Sequence, residues 1–253
     1  MPNPWDIGSA RYLQSLGFKA LATTSSGFAW SQARPDNGLP RERVLQHLAE
    51  LAAATDVPVH ADFENGFATD SAGVGESVRL ALETGVAGLS IEDSTGNAAA
   101  PLFDLNTAVE RIRAARRAID ERGGDTLLIA RAECFLVGLP DLDATIGRLK
   151  AYAGAGADCL YAPGIRTAAQ IRAVVEAVAP KPVNLLVMAR DEFTLQQIAD
   201  LGVRRVSVGG ALARAAWGGF MRAAREIAEH GTFGGLKGGA SGQELNALWS
   251  GGA

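Results

Sequence analysis

Cysteine is nearly absent from this chain of 253 residues: Cys134 and Cys159 are the only two, and they form no CxxC pair. Both are expected to be reduced and to sit in strands as small hydrophobes. Histidine is scarce too. His47 falls in a predicted helix, His230 near a helix end and His60 in a strand, where it is expected to face away from any cavity. There is no basic excess, since 24 Lys and Arg face 28 Asp and Glu for a net charge of −4. Nothing therefore suits the chain to neutralising nucleic-acid phosphates, and no nucleic-acid partner is expected. No apolar run approaches the ~18 residues of a membrane span, so no membrane partner is expected. The opening MPNPWDIGSA lacks the charged and apolar regions of a signal peptide, which points to a cytoplasmic protein.

What is abundant is glycine, 30 residues, within a composition that is 47% apolar. One local pattern recurs: a helix end, a Gly, then a short apolar run. It appears at 16–26, 84–93, 155–164 and 201–210. Further apolar runs at 57–64, 126–135 and 181–188 share its character. Such runs, continuous rather than alternating, predict strands covered on both faces, as in a parallel sheet. With a stub before Pro4, they make eight strands. Residues 41–54, 108–121, 143–156 and 171–179 place apolar side chains at helical spacing. Strand and helix units alternating over ~230 residues predict a (β/α)8 barrel of the TIM type rather than a doubly wound sheet. The expected organisation is a barrel over residues 1–230 and a tail over 231–253. In that tail, 231–240 reads as a flexible connector. Ser241 and Glu244 then cap a short helix whose Leu245, Leu248 and Trp249 need a surface to cover.

Carboxylates gather where the predicted strands end. HADFENGF (60–67) supplies Asp62 and Glu64, and SIEDSTG (90–96) supplies Glu92 and Asp93. Residues two apart in a strand share a face, so Asp62 and Glu64 can enter one cavity. Buried carboxylates need a cation or a proton-transfer task. An oxygen-rich set without neighbouring His or Cys suits Mg2+ or Mn2+ better than zinc. Other strand ends add Arg131, Glu133, Asn184, Ser207 and Gly209, and the backbone amides of residues 24–27 could hold an anionic oxygen. Plainer readings stand beside these. Arg131 and Glu133 could be a structural ion pair, and Asp93 could cap its own loop at Thr95 or Gly96. SVGGALAR (207–214) reads either as a phosphate cradle or as a tight turn.

The ordered set PNPWDIGSARYLQSLGFKALATTSSGFA, PVHADFENGF, GVAGLSIEDSTG, LLIARAECF and AYAGAGADCLYAPG resembles the isocitrate lyase / phosphoenolpyruvate mutase superfamily over roughly residues 2–225. The resemblance implies a barrel whose eighth helix is exchanged between subunits of a homodimer or homotetramer. It implies Mg2+-dependent chemistry on α-oxo acids through an enolate. Carried over, Asp62 matches the acid that contacts the metal. Asp36, Glu64 and Glu92 match acids that hold it through water. Ser26 and Gly27 match the groups that bind the substrate carboxylate and oxo group. Arg131 matches the arginine at the leaving group, and Asn184 a carboxylate-binding asparagine. Asp36, Arg131 and Glu92 are the expected catalytic residues.

Three departures matter. Glu64 stands where relatives usually have Asp. The segment STGNAAAPLFD lacks the Cys, Lys and His of the isocitrate lyase loop and the lysine of the mutase gating loop. The helix that usually precedes the first strand is not seen, which leaves the barrel bottom open or closed by another segment such as the tail. The expected function is a metal-dependent lyase acting on a small α-oxo acid by C–C cleavage or decarboxylation, but not isocitrate lyase itself. The alternatives are a catalytically reduced barrel that binds metal and 2-oxo acid, or a phosphoenolpyruvate- or phosphonate-processing member.

Overall fold

A computed structural model describes residues 1–188 and 193–250. Seven parallel strands lie in chain order: β1 (Leu21–Ala22), β2 (Val59–Asp62), β3 (Gly88–Glu92), β4 (Leu127–Arg131), β5 (Cys159–Tyr161), β6 (Val183–Leu186) and β7 (Arg205–Ser207). Each is short, and β3 is buried along its whole length because helices cover one face and barrel contents the other. Helix α1 (Ile7–Ser15) precedes β1, and between the strands lie α2 (Ser25–Ser31), α3 (Arg41–Ala54), α4 (Ser71–Leu82), α5 (Leu105–Arg122), α6 (Leu142–Gly154), α7 (Ala168–Val178) and α8 (Leu195–Asp200). After β7 come α9 (Ala211–His230), a 3-10 turn (Gly234–Gly238) and α10 (Gly242–Trp249). The arrangement is a nearly closed TIM-type barrel.

The expected eighth strand before Pro4 is not formed. Pro2 and Pro4 have no amide hydrogen, so this stretch cannot build a two-sided ladder. It fills the gap between β7 and β1 in another way. The Met1 amine donates to the Val206 carbonyl (2.7 Å), the Ala22 amide to the Pro2 carbonyl (3.0 Å), and the Asn3 side chain to the Thr23 carbonyl (2.9 Å). Asn3 Oδ1 also accepts from the amides of Val208 and Gly209. SVGGALAR is thus a turn tied to Asn3, and two of the amides a phosphate would need are already used.

The predicted helix at 41–54 has those bounds, and the other three predicted helices start and stop within a few residues of expectation. The glycines of the recurring pattern, Gly17, Gly85, Gly156 and Gly202, take φ from +84° to +102°, a conformation that ends a helix and costs other residues a Cβ clash. Between the sheet and its helices runs the main core, centred on Val74, Val78, Leu89, Ile91, Leu128 and Leu160. Ile129, Cys159 and Tyr161 form a separate cluster. Cys134 and Cys159 are buried and free; Cys159 lies in β5, whereas Cys134 sits in the turn after β4.

The tail departs from expectation. Residues 231–240 do not form a featureless linker, because the Glu226 carboxylate of α9 accepts from the Thr232 hydroxyl and from the amides of Gly234 and Gly235. That clamp folds the chain back against α9. The whole stretch from 231 to 250 is solvent-exposed, so the tail does not cover the barrel bottom. Phe220, Phe233 and Leu236 are more than half exposed, and Trp217, Leu245, Leu248 and Trp249 are each exposed by 37–45%. Among the described residues, no helix is long and apolar enough to cross a membrane.

Candidate active site

The strand register alone assembles much of the site. At the C-terminal ends of adjacent strands Glu92 pairs in register with Arg131, Arg131 with Tyr161, and Tyr161 with Asn184. In a parallel sheet, partners in register point to the same side. Arg131 is the hub. Its guanidinium lies 2.6 Å from Asp62, 3.1 Å from Glu92 and 2.8 Å from Glu133, with its side chain 12% exposed. It also sits 5.1 Å from the centre of the Tyr161 ring. The expected Arg131–Glu133 pair exists, but as one arm of a three-acid fork rather than an isolated rim contact.

Asp62 is held from the other side by α2. The amide and hydroxyl of Ser25 donate to its Oδ2 at 3.1 and 3.0 Å, and the same hydroxyl reaches Asp36 (3.2 Å). Glu64 follows in a left-handed turn at φ +49°, an uncommon conformation for a residue with a side chain. Burial first, then the charges of Asp62 and Asp36, push its carboxyl up to about 8. Glu92 is raised well above the usual range by burial, against the opposing pull of Arg131. Asp36 is raised by desolvation and by Asp62. Arg131 is raised as well, because its three acids outweigh the burial that disfavours its charge. Five carboxyl groups (Asp36, Asp62, Glu64, Glu92 and Glu133) thus crowd around one arginine.

Of the substrate-binding candidates, Ser26 lies beside the site with its hydroxyl 3.1 Å from that of Thr24. Gly27 is there for lack of space: a Cβ on it would meet the Thr24 methyl at 2.7 Å and Ala213 and Trp5 at 3.1 Å. Its amide donates to Thr24 Oγ1, and that of Ser25 to Asp62. Two of the amides expected to hold an anionic oxygen are therefore already used inside the protein. Asn184 is 1% exposed, donates to Ser207 (2.9 Å), and leaves its Oδ1 without a partner among the described residues.

Two readings are corrected. His60 does not face away: it lines a small chamber inside the barrel, of about 40 Å³, with Asp62, Arg131, Tyr161, Asn184 and Arg205. The period of two in a strand that pairs Asp62 with Glu64 puts His60 on the face of Asp62 as well. Asp93 does not cap its own loop. Its carboxylate accepts from the Glu133 amide (2.8 Å), the Tyr152 hydroxyl (2.5 Å) and Arg148 (3.0 Å), locking the ends of β3 and β4 to α6. Tyr161 and Arg205 entered the barrel unforeseen; the strand period again was the available signal.

A model of the phosphoenolpyruvate phosphomutase family matches residues 1–228. The chain belongs to this family. Among solved structures, a candidate lyase/mutase from Burkholderia cenocepacia J2315 is 49% identical, covers 99% of this chain and 90% of its own, and superposes with a TM-score of 0.94. The 2-methylisocitrate lyase of Escherichia coli K12 is 31% identical over 65% of this chain and 57% of its own length. The oxaloacetate decarboxylase of Bradyrhizobium sp. BTAi1 is 27% identical over 96% of this chain and 82% of its own. Membership in the family agrees with the resemblance seen in the strand-end motifs.

Glu64 carries a pH signature of its own. Its carboxyl titrates near 4.5 when unfolded and at about 8 when folded, so the folded state binds this proton more tightly. The resulting stabilisation is complete at low pH and is lost as pH rises towards 8. Thermal unfolding of the metal-free protein should therefore show a Tm that falls across that window. Glu64→Gln should flatten the slope; an unchanged slope in the variant would assign it to other groups.

Proposed function

We propose that this protein is a Mg2+-dependent lyase that cleaves or decarboxylates a small α-oxo acid through an enolate. The observation that carries the reading is Arg131 held among Asp62, Glu92 and Glu133, with the carboxyls of Glu64 and Asp36 beside them, both pushed up by burial and by Asp62, where a cation could take the place of a proton. Among the described residues no three such side chains converge tightly enough to hold an ion directly. Mg2+ keeps several of its waters and needs only one or two carboxylates from the protein. Asp62 would contact the ion, and Asp36, Glu64 and Glu92 would hold it through water; Mn2+ would serve in its place. Bound there, the ion supplies Lewis acidity to the 2-oxo group.

The chain's own groups divide the remaining work. Arg131 presents a planar fork where negative charge builds as the neighbouring bond breaks. Ser25 fixes Asp62 from below, and Asp93 fixes the backbone of Glu133, so neither acid has to reorganise during the reaction. Ser26 and Asn184 offer polar contacts to the substrate's carboxylate and oxo groups. The segment from Ser94 to Asp104 has no Cys, Lys or His to donate a proton. This points away from isocitrate lyase chemistry and towards products whose enolate is protonated by water. It also motivates the second reading, a barrel that binds metal and 2-oxo acid without turnover. Incubation with oxaloacetate and substituted malates in Mg2+ should release pyruvate or another 2-oxo acid. Tight Mg2+-dependent binding of oxalate with no consumption across that panel would instead support the second reading.

We further propose that residues 1–230 form the catalytic barrel and that α9 and the tail form an arm exchanged with a second copy, as a homodimer or homotetramer. The exposed Trp217, Phe220, Phe233 and Trp249 support this, because a monomer rarely leaves so many large apolar groups in water. Light scattering should give at least twice the monomer mass, and Phe220→Glu should shift it towards the monomer.

A further inference from the structure

Helix α5 turns an arginine inward. Arg111 occupies the same apolar stripe as Ala108, Ile112, Ala115 and Ile119 and is 1% exposed. A fully desolvated guanidinium normally pairs with a carboxylate. Here no described carboxylate lies within ion-pairing distance, and the charge is met by backbone instead. Nη1 donates to the carbonyls of Ala68 and Thr69 (2.8 Å to Thr69), and Nη2 to the carbonyl of Asn65. Its Nε is buried without a hydrogen-bond partner among the described residues. Burial draws the guanidinium down to about 10, so it keeps its charge at neutral pH. A cation held this expensively implies that the loop beneath it must be held.

That loop, 65–69, follows directly from Glu64, whose left-handed backbone persists only if its surroundings enforce it. The Glu64 carbonyl is anchored on one side by the Glu92 amide (3.0 Å), and Arg111 anchors the residues beyond it. The same guanidinium lies over the Phe103 ring, 4.0 Å from its centre. Phe103 ends the segment beyond β3: its amide donates to the Asp93 carbonyl (2.9 Å), and a Ser94–Leu102 bridge closes the hairpin before it. Asn65 makes a second link, its side-chain amide reaching the Ser94 carbonyl at 3.4 Å.

We propose that Arg111 is a positioning residue that makes the Glu64 loop and the Ser94–Phe103 segment order as one unit, so that the segment's placement against that loop sets the Glu64 carboxyl. The functional part rests on Glu64 as a water-mediated metal acid, as proposed above. Two variants test it: Arg111→Lys, which keeps a charge but loses the fork, and Phe103→Leu, which keeps an apolar contact but loses the ring. Amide hydrogen exchange in the unaltered chain and both variants would report residues 64–69 and 94–103 separately. Mn2+ titration followed by paramagnetic resonance would report the metal site.

Both variants should speed exchange in both stretches together, and Mn2+ should bind about tenfold more weakly, the size usual for losing a group that orients a ligand. The effect of Phe103→Leu on residues 64–69 decides the matter, since that side chain makes no hydrogen bond to the loop. Faster exchange confined to one stretch, or Mn2+ affinity within twofold of the unaltered chain, overturns the proposal. Should the unaltered chain bind no Mn2+, the metal reading falls, while exchange still decides whether the two stretches move as one.

Discussion

Arg131→Met is expected to remove turnover and to weaken the fold in the same step. The side chain is the only cation in contact with Asp62, Glu92 and Glu133 among the described residues. Methionine fills similar volume but leaves three crowded acids facing one another. Breaking a buried pair in this way costs about 3–5 kcal/mol, moderated here because Glu92 and Glu133 are already disposed to take up protons. Catalytically, loss of a charged donor aimed at developing negative charge costs about 10²–10³-fold in rate. Arg131→Lys separates the two effects. A lysine restores one positive charge and much of the stability, yet a single ammonium cannot serve three carboxylates in the fork geometry. Denaturant unfolding alongside kcat/KM would show Lys near the parent in stability and near Met in activity. If Arg131→Met kept turnover within tenfold of the parent, the arginine would be structural only.

The second large effect is expected at Asp62. Asn is nearly isosteric, but its amide group can accept on one side only. Asp62 receives the Ser25 amide and hydroxyl on one oxygen and Arg131 on the other, so any amide orientation sets an NH2 against a donor. The variant also loses the anionic oxygen proposed to touch the ion. Asp62→Asn should therefore abolish stimulation by Mg2+ and lower the rate by about 10²–10³-fold, comparable with loss of a key electrostatic group. Glu64→Gln, which would affect only a water-mediated contact, should weaken Mg2+ dependence while keeping measurable turnover. Rate against Mg2+ concentration checks both. Equal loss in the two variants would contradict the division into direct and water-mediated acids.

Much of this architecture could be read in the amino-acid sequence. Short continuous apolar runs after Gly mark strands buried on both faces, and the stripe in 41–54 marks a helix, because both depend on local periodicity and local backbone freedom. The carboxylates at 62, 64 and 92 could be found for the same reason, as polar residues ending apolar runs. The strand stub before Pro4 failed where local pattern competes with hydrogen-bond chemistry: a stretch bearing two prolines bridges the gap between β7 and β1 by isolated bonds only. His60 was misplaced although the strand period was in view, and Asp93 because its partners Tyr152 and Arg148 lie more than 50 residues along the chain.

The sequence by itself thus determined the strand and helix order, the barrel and the set of acids offered at its mouth, all of which follow from periods of two and 3.6 residues. Only the tertiary structure decided what those acids do to one another. Charge interactions depend on distance through space, and register across the sheet, not order along the chain, sets that distance. It placed Arg131 within reach of three acids, pushed Glu64 up to about 8, and turned Arg111 from one more helical cation into the buried link between two loops.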